Sequence, residues 1–272
     1  MKALQSARRS VLTFGLSLVT VSVLAQAQTT SPFTPAVGQP GKDVVWVPSP
    51  QTLVDRMLDM AKVTAQDYVI DLGSGDGRTV ITAAKRGARA HGIEYNPDMV
   101  ALSQRSAAAE GVSARATFAK ADIFESDFSQ ATVITMFLLP DINLRLRPKI
   151  LDLKPGTRIV SNTFTMDDWT PDETAEAGGN CESWCKALFW IVPAKVGGTW
   201  QLPQGQLNLT QEFQMVTGTL RNSGGAIPIL NGRLRGDQIS FSAGGVEYTG
   251  RVSGNAMEGT SSGGAMWRAT RS

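Results

Sequence analysis

The stretch Asp71-Leu72-Gly73-Ser74-Gly75-Asp76-Gly77, directly after the apolar run Tyr68-Val69-Ile70, constrains this chain more than any other. A buried strand ends there in a carboxylate, and three alternating glycines lead into a helix over Arg78 to Arg86. Glycine takes positive φ and lets the backbone approach a ligand closely. The helix start adds unpaired N–H groups and a partial positive charge. A nicotinamide dinucleotide site would read G-x-G-x-x-G, with an acid about 20 residues further on. The spacing here is D-x-G-x-G-x-G, which disfavours a dehydrogenase. A carboxylate facing the ligand also disfavours a pyrophosphate and suits a cation with a carboxylate tail.

Strands and helices alternate around this loop. Tyr68–Leu72, Ala90–Glu94, Thr117–Lys120, Thr132–Leu138, Thr157–Asn162 and Leu188–Val192 read as strands. Helices are expected over Leu53–Ala61, capped by Ser49 or Thr52, and over Asp98–Glu110, opened by Asn96-Pro97. A further helix over Leu144–Leu153 must kink or split at Pro148. The pattern predicts an α/β fold with a doubly wound, Rossmann-like sheet over residues 44–196. Residues 197–272 then become rich in glycine and short alternating runs: Gln206–Phe213, Val216–Arg221, Gln238–Ser242, Val246–Val252 and Ala265–Ala269. Turn pairs such as Asn231-Gly232 and Gly236-Asp237 separate them. This segment reads as an antiparallel meander, either a small closed barrel or a folded-over sheet, and looks short for eight full strands. Gly198-Thr199-Trp200 and Trp267-Arg268 resemble the G-x-W opening and late arginine of the lipocalin–avidin barrels.

The N-terminus reads as a signal peptide over residues 1–27. Lys2, Arg8 and Arg9 precede the apolar core Val11–Leu24 and the A-x-A-like site Ala25-Gln26-Ala27. That core falls short of the roughly 18 to 20 residues of a membrane span, so export to the periplasm or medium is expected, with no stable membrane span after cleavage. Arg8-Arg9 allows a twin-arginine signal, which carries folded proteins, or an ordinary one. Residues 28–43, rich in Pro, Thr, Gln and Gly, read as a flexible leader. Cys181 and Cys185 in an exported chain read as a disulfide rather than a metal site, with two free buried thiols as the alternative. The one histidine, His91, reads as a half-buried strand residue, which leaves no His-based metal site or triad. A net charge of +2 provides no basic field for nucleic acid.

Three acids close successive strands: Asp71, Glu94 and Asp122. With the glycine loop they resemble class I S-adenosylmethionine-dependent methyltransferases over about residues 44–193. The resemblance implies S-adenosylmethionine as cofactor, a ligand with both a cationic sulfonium and a carboxylate tail. It places Asp71, Gly73, Ser74, Gly75, Asp76 and Gly77 at the methionine end and Glu94 at the ribose hydroxyls. Tyr95 and Ile123 flank the adenine, whose amino group Asp122 accepts from, and Asn96 is a further cofactor-binding residue. Val47-Pro48, Asp71 through Arg78, Gly92-Ile93-Glu94-Tyr95-Asn96-Pro97 and Phe137-Leu138-Leu139-Pro140 narrow it further. They resemble the protein-lysine methyltransferases that modify the mitochondrial ATP synthase c subunit and the adenine nucleotide translocase. Those relatives have a membrane-anchoring segment and no C-terminal meander like this one.

Methyl transfer from a sulfonium is an in-line displacement that depends mainly on positioning, so no catalytic residue is assigned. After the fourth strand the chain has Phe137-Leu138-Leu139-Pro140-Asp141 in place of an Asn/Asp-Pro-Pro-Tyr/Phe motif, which disfavours nucleobase and glutamine acceptors. Leu139, Pro140, Asp141 and Asn143 are expected to line the acceptor channel, the alternative being a turn that caps the following helix. The acceptor is then a protein lysine or a small amine. A second reading is an exported methyltransferase-fold binding protein, without catalysis, that acts through its C-terminal β-domain.

Overall fold

The computed structural model describes residues 33–179, 181–203 and 205–272. The signal-peptide reading of 1–27 and the first five residues of the leader lie outside them. The first part of the fold runs α1 (Gln51–Met60), β1 (Tyr68–Leu72), α2 (Arg78–Lys85), β2 (Arg89–Glu94), α3 (Pro97–Ala109) and β3 (Ala116–Lys120). It continues through β4 (Val133–Met136), α4 (Pro140–Leu151), β5 (Arg158–Asn162), β6 (Glu173–Glu176) and β7 (Lys186–Ile191). The sheet order is β3-β2-β1-β4-β5-β7-β6, parallel except for β7, which runs antiparallel to β5 and β6. Strand order reverses between β1 and β4, and in open α/β sheets the crevice at such a point receives the ligand.

Burial explains the apolar strands. All four residues of β4 are buried, as a strand covered on both faces requires. On one face Leu53, Met57, Val80 and Val100 of α1, α2 and α3 pack with Val69 and Val133. On the other, Ile142, Leu146 and Ile150 of α4 pack with Ile70, Ile134 and Trp190. Asn96 caps α3, its side chain accepting from the N–H of Asp98 at 2.9 Å, with Pro97 in the first turn.

Several expectations are corrected. Helix α1 begins after Pro50 with no side-chain cap; Ser49 accepts instead from Asn162 Nδ2. Pro148 lies inside a single continuous α4. Strand β6, Glu-Thr-Ala-Glu, is an addition to the expected strands, because an exposed edge strand carries no apolar alternation. From Phe33 onward the leader is held in place: Gly38 N–H bonds Trp46 O, Pro40 bridges Val45, and Lys42 pairs with Asp122. Composition reads this stretch as flexible because backbone bonds and one long-range ion pair hold it, and not an apolar pattern. Cys181 and Cys185 are joined in a disulfide, Cα–Cα 5.8 Å. His91 sits half-buried on β2 beside the Thr117 hydroxyl, 2.8 Å away.

The remaining strands are β8 (Gly198–Leu202), β9 (Gly205–Glu212), β10 (Met215–Asn222), β11 (Gly225–Arg235), β12 (Gln238–Ala243), β13 (Val246–Ser253), β14 (Ala256–Ser261) and β15 (Met266–Arg271). They close into an eight-stranded antiparallel barrel, β15 pairing with β8 and β9 with β10. Eight strands of five to eleven residues fit because tight turns join them. Asn231-Gly232, expected to be a hairpin turn, lies within β11 at a register shift between Leu230 and Arg233. Asn231 there takes φ 53°, so the pair forms a bulge that bends a barrel strand. Trp200 is fully buried, and the arginine stacked over it is Arg271, 4.4 Å from the ring, not Arg268.

The barrel is bonded to the sheet. Phe213 stacks on the buried Trp169 at 5.8 Å, and Gln214 Nε2 donates to Thr170 O at 2.8 Å. Arg233 pairs with Asp172 at 2.6 Å and Arg235 with Glu173 at 2.7 Å, covering the β6 edge.

One partly buried ion pair secures the base of the sheet. Asp67, 7% exposed, accepts from Thr64 N–H, the Thr132 hydroxyl and the Arg158 guanidinium. Burial opposes its charge, but these three donors outweigh it and hold the carboxyl below its ordinary value of 3.8. A lowered folded value means the contribution is complete above 3.8 and is lost as pH falls through the folded value. Asp67→Asn should therefore cost about 2 kcal/mol in urea unfolding at neutral pH, because it leaves the partly buried Arg158 guanidinium without its carboxylate. A loss below about 1 kcal/mol would contradict this role.

Candidate cofactor and acceptor site

A cavity of about 250 Å³ opens at the C-terminal ends of the parallel strands, where the strand order reverses. Among the residues read as cofactor-binding, Asp71, Gly73, Ser74, Gly75, Asp76, Glu94, Tyr95, Asn96, Asp122 and Ile123 all line it. Gly77 does not. It starts α2 at φ 80°, and a Cβ there would meet Phe118 and Ser103 at 2.7 Å, so its glycine serves packing. Gly75, at φ 53°, faces the cavity wall instead, where a Cβ would meet the Trp46 indole nitrogen at 2.8 Å.

Glu94 is oriented by two backbone donors. Its Oε2 accepts from Gly75 N–H and its Oε1 from Asn96 N–H, both at 2.9 Å. Each oxygen keeps acceptor capacity, which suits a vicinal diol. Asp122 accepts from Phe124 N–H at 2.9 Å and from Lys42 Nζ at 2.5 Å. The Lys42 ammonium, followed by the Phe124 N–H, holds the Asp122 carboxyl below its ordinary range. Lys42 also stands over the Tyr95 ring, 4.9 Å from its centroid. Asp76 is turned toward Arg78, which grips it through Nε and Nη2 and donates from Nη1 to Ser49 O at 2.7 Å. Although Asp76 lines the cavity, its charge is met by a cation of the chain itself.

Asp71 is the group under electrostatic tension. Burial, assisted by the nearby Asp76 and Glu94 charges, pushes its carboxyl up to about 7, although the Thr135 hydroxyl donates to it at 2.7 Å. The Ser74 hydroxyl is also buried and has no hydrogen-bond partner.

The four residues read as lining the acceptor channel fall in three different settings. Leu139 lines the cavity, whereas Pro140 and Asp141 are exposed in the first turn of α4. Asn143 is fully buried, and its Nδ2 donates to Phe164 O at 3.3 Å and Thr165 O at 3.0 Å. Residues three or four apart on α4 share a face, so the helix turns Asn143 into the protein. Phe137, Phe164 and Trp184 also line the cavity, as do Lys42 and Trp46, and none of the five is among the site residues expected from sequence. A tryptophan between two cysteines, and another in a short apolar segment before a helix, are the signals the sequence offers for them.

Residues 71–173 match the family described as the ANTKMT methyltransferase domain. A protein-lysine N-methyltransferase of Saccharolobus islandicus is 47% identical over 133 residues, 48% of this chain and 83% of that protein. The chain belongs to this methyltransferase family. The human lysine N-methyltransferase named for the ATP synthase c subunit is 34% identical over 134 residues, but the chain spans only 57% of its length. A solved structure from Salinibacter ruber, named as an RNA methyltransferase in complex with S-adenosyl-L-homocysteine, is 43% identical with a TM-score of 0.52. The match covers 55% of this chain and 96% of that one.

The cofactor of this methyltransferase is S-adenosylmethionine. The cavity fits it: a diol-suited carboxylate fixed by two N–H groups, a glycine cradle, an unpartnered buried hydroxyl and an acid that lacks a cation. Because the folded value of Asp71 is raised, the free protein loses stability as pH rises from 3.8 to about 7, where burial of the ionised form becomes costly. A cationic ligand beside Asp71 reverses that and favours the carboxylate. Calorimetry with S-adenosylmethionine should show release of approaching one proton near pH 6 and little above pH 8. Affinity should rise up to about tenfold per pH unit below 7 and then level off. Asp71→Asn should abolish the proton release. Release unchanged in that variant would exclude Asp71 as its source.

Proposed function

We propose that this methyltransferase transfers a methyl group to an amine, on a protein lysine or a small amine, after export from the cytoplasm. The observation that carries the amine reading is the charge of the cavity. Five carboxylates line it, Asp43, Asp71, Asp76, Glu94 and Asp122, against two cations, Lys42 and Arg78. Both cations are paired with acids of the site. Such a field draws a cationic acceptor inward and opposes a phosphate backbone, whose binding needs unpaired lysines and arginines. The name of the archaeal relative supports lysine, and this charge pattern favours it over the RNA named for the Salinibacter structure.

The bound cofactor supplies a methyl group on a sulfonium, with a neutral thioether as the leaving group. The chain's part is positioning: Glu94 and the glycine loop fix one end of the cavity, and Leu139, Phe137 and Phe164 shape the other. An acceptor ammonium must lose its proton before it reacts, to water or to a nearby carboxylate.

Export is supported by the signal-like residues 1–27 and by the Cys181–Cys185 disulfide, a bond typical of oxidising compartments. A twin-arginine route would carry the folded protein with its cofactor inside. Among the described residues no helix is long and apolar enough to cross a membrane.

The test is transfer of radiolabelled methyl from S-adenosylmethionine to envelope extract, followed by acid hydrolysis and amino-acid analysis. Label should appear as methylated lysine or a small methylamine, and Glu94→Ala should reduce it by at least about tenfold through weaker cofactor binding, a loss near 1.4 kcal/mol. Label confined to RNA would overturn the amine reading.

A further inference from the structure

Three aromatic rings meet at the acceptor side of the cavity. Phe137 follows β4 and Phe164 follows β5, and their rings stack 5.8 Å apart at 19°. Trp184, from the loop between β6 and β7, lies 5.8 Å from Phe137 and 5.4 Å from Phe164. All three line the same cavity as Asp71 and Glu94, and none belongs to a hydrophobic core cluster. Trp184 keeps 42% of its surface exposed. Core packing does not account for such a ring.

The backbone beneath the rings is strained toward this arrangement. Trp184 takes φ 57° and Thr163, beside Phe164, takes φ 59°, a left-handed region that bulky and β-branched residues avoid. The Trp184 turn is closed by the Cys181–Cys185 disulfide and by Ala177 N–H bonded to Cys185 O at 2.7 Å. The Phe164 carbonyl is held by the Ser161 hydroxyl at 2.7 Å and by Asn143 Nδ2.

We propose that Phe137, Phe164 and Trp184 form the wall that receives the acceptor's ammonium group, and that the Cys181–Cys185 disulfide keeps Trp184 on it. This rests on the amine-acceptor reading and specifies the acceptor further, as an alkylammonium recognised by ring faces. An amine that gains methyl groups in succession stays cationic on protonation while losing N–H donors. Ring faces bind each of those states through charge, whereas a hydrogen-bonding acceptor would lose its partner with each methyl. The wall therefore suits an acceptor that stays bound through more than one transfer. Asn143, expected to line the channel, acts instead by holding Phe164.

The experiment uses the full protein saturated with S-adenosylhomocysteine. Its probes are Nα-acetyl-trimethyllysine methylamide and the uncharged isostere with a tert-butyl group in place of trimethylammonium, both titrated by calorimetry. The charged probe should bind at least about fivefold tighter, Trp184→Ala should reduce that preference at least about threefold, and Trp184→Phe should retain most of it. Cys181→Ser with Cys185→Ser should weaken the charged probe at least about threefold while S-adenosylhomocysteine affinity stays within about twofold. Equal binding of the two probes, or a preference that Trp184→Ala leaves undiminished, would overturn the ammonium wall. Undiminished probe binding in the serine pair would overturn the role of the disulfide. Failure of S-adenosylhomocysteine itself to bind would bring down the methyltransferase reading and this inference with it, an outcome visible before any probe is added.

Discussion

Glu94 ties three elements of this protein to one another. It ends β2, accepts the Gly75 N–H of the loop between β1 and α2, and accepts the N–H of Asn96, which in turn caps α3. Charge-assisted bonds to backbone N–H groups are short and directional, so one carboxylate fixes the glycine loop relative to two strand ends. The loop can lie that close only because Gly75 carries no Cβ and takes φ 53°, with the Trp46 indole on its other side. Fold and site thus share a constraint. The contacts that close the sheet edge are those that leave the remaining acceptor sites of Glu94 available to a ligand.

The site is divided by chemistry along the sheet. Acids close β1, β2 and β3, while aromatic rings follow β4 and β5 and precede β7. The acidic half is incomplete alone. Asp71 is buried with its carboxyl at about 7, and its electrostatic neighbours include two further acids. A cation next to it relieves that tension, which makes the free protein less stable near neutral pH than the liganded one. Asp122, by contrast, already has its cation, because Lys42 pairs with it from the segment before α1 and holds its carboxyl below the ordinary range. That segment lies over the site and contributes a charge to it.

What can be read from the residues follows their range of interaction. The glycine loop, the three strand-end acids and the parallel strands announce themselves within a few residues, through apolar runs and fixed spacing. The aromatic wall does not, because Phe137, Phe164 and Trp184 lie on three separate connections that only the sheet order brings together. Residues 33–43 look flexible in sequence because their bonds run to Trp46 and Asp122, which composition cannot anticipate. Strand β6 is polar on every exposed position because it is an edge strand whose two glutamates meet Arg235 and Lys186 and not a core. Asn231-Gly232 reads as a turn since the same positive φ serves a hairpin and a bulge, and only cross-strand register separates them.

The barrel has a mechanical connection to the acceptor wall. Arg233 and Arg235 hold Asp172 and Glu173 at the start of β6, and Asp172 also accepts from Ile191 N–H at the end of β7. The other end of that β6–β7 hairpin carries Cys181, Trp184 and Cys185. An isolated two-stranded ribbon is marginal in water, so its support must come from β5 on one side and from the barrel on the other. Phe213 stacked on Trp169, with Trp169 O accepting from the Trp190 indole on β7, extends the same support inward. The 33–272 region forms one compact unit by its contacts. A barrel joined in this way braces the strand pair that presents Trp184, although none of its own residues lines the cavity.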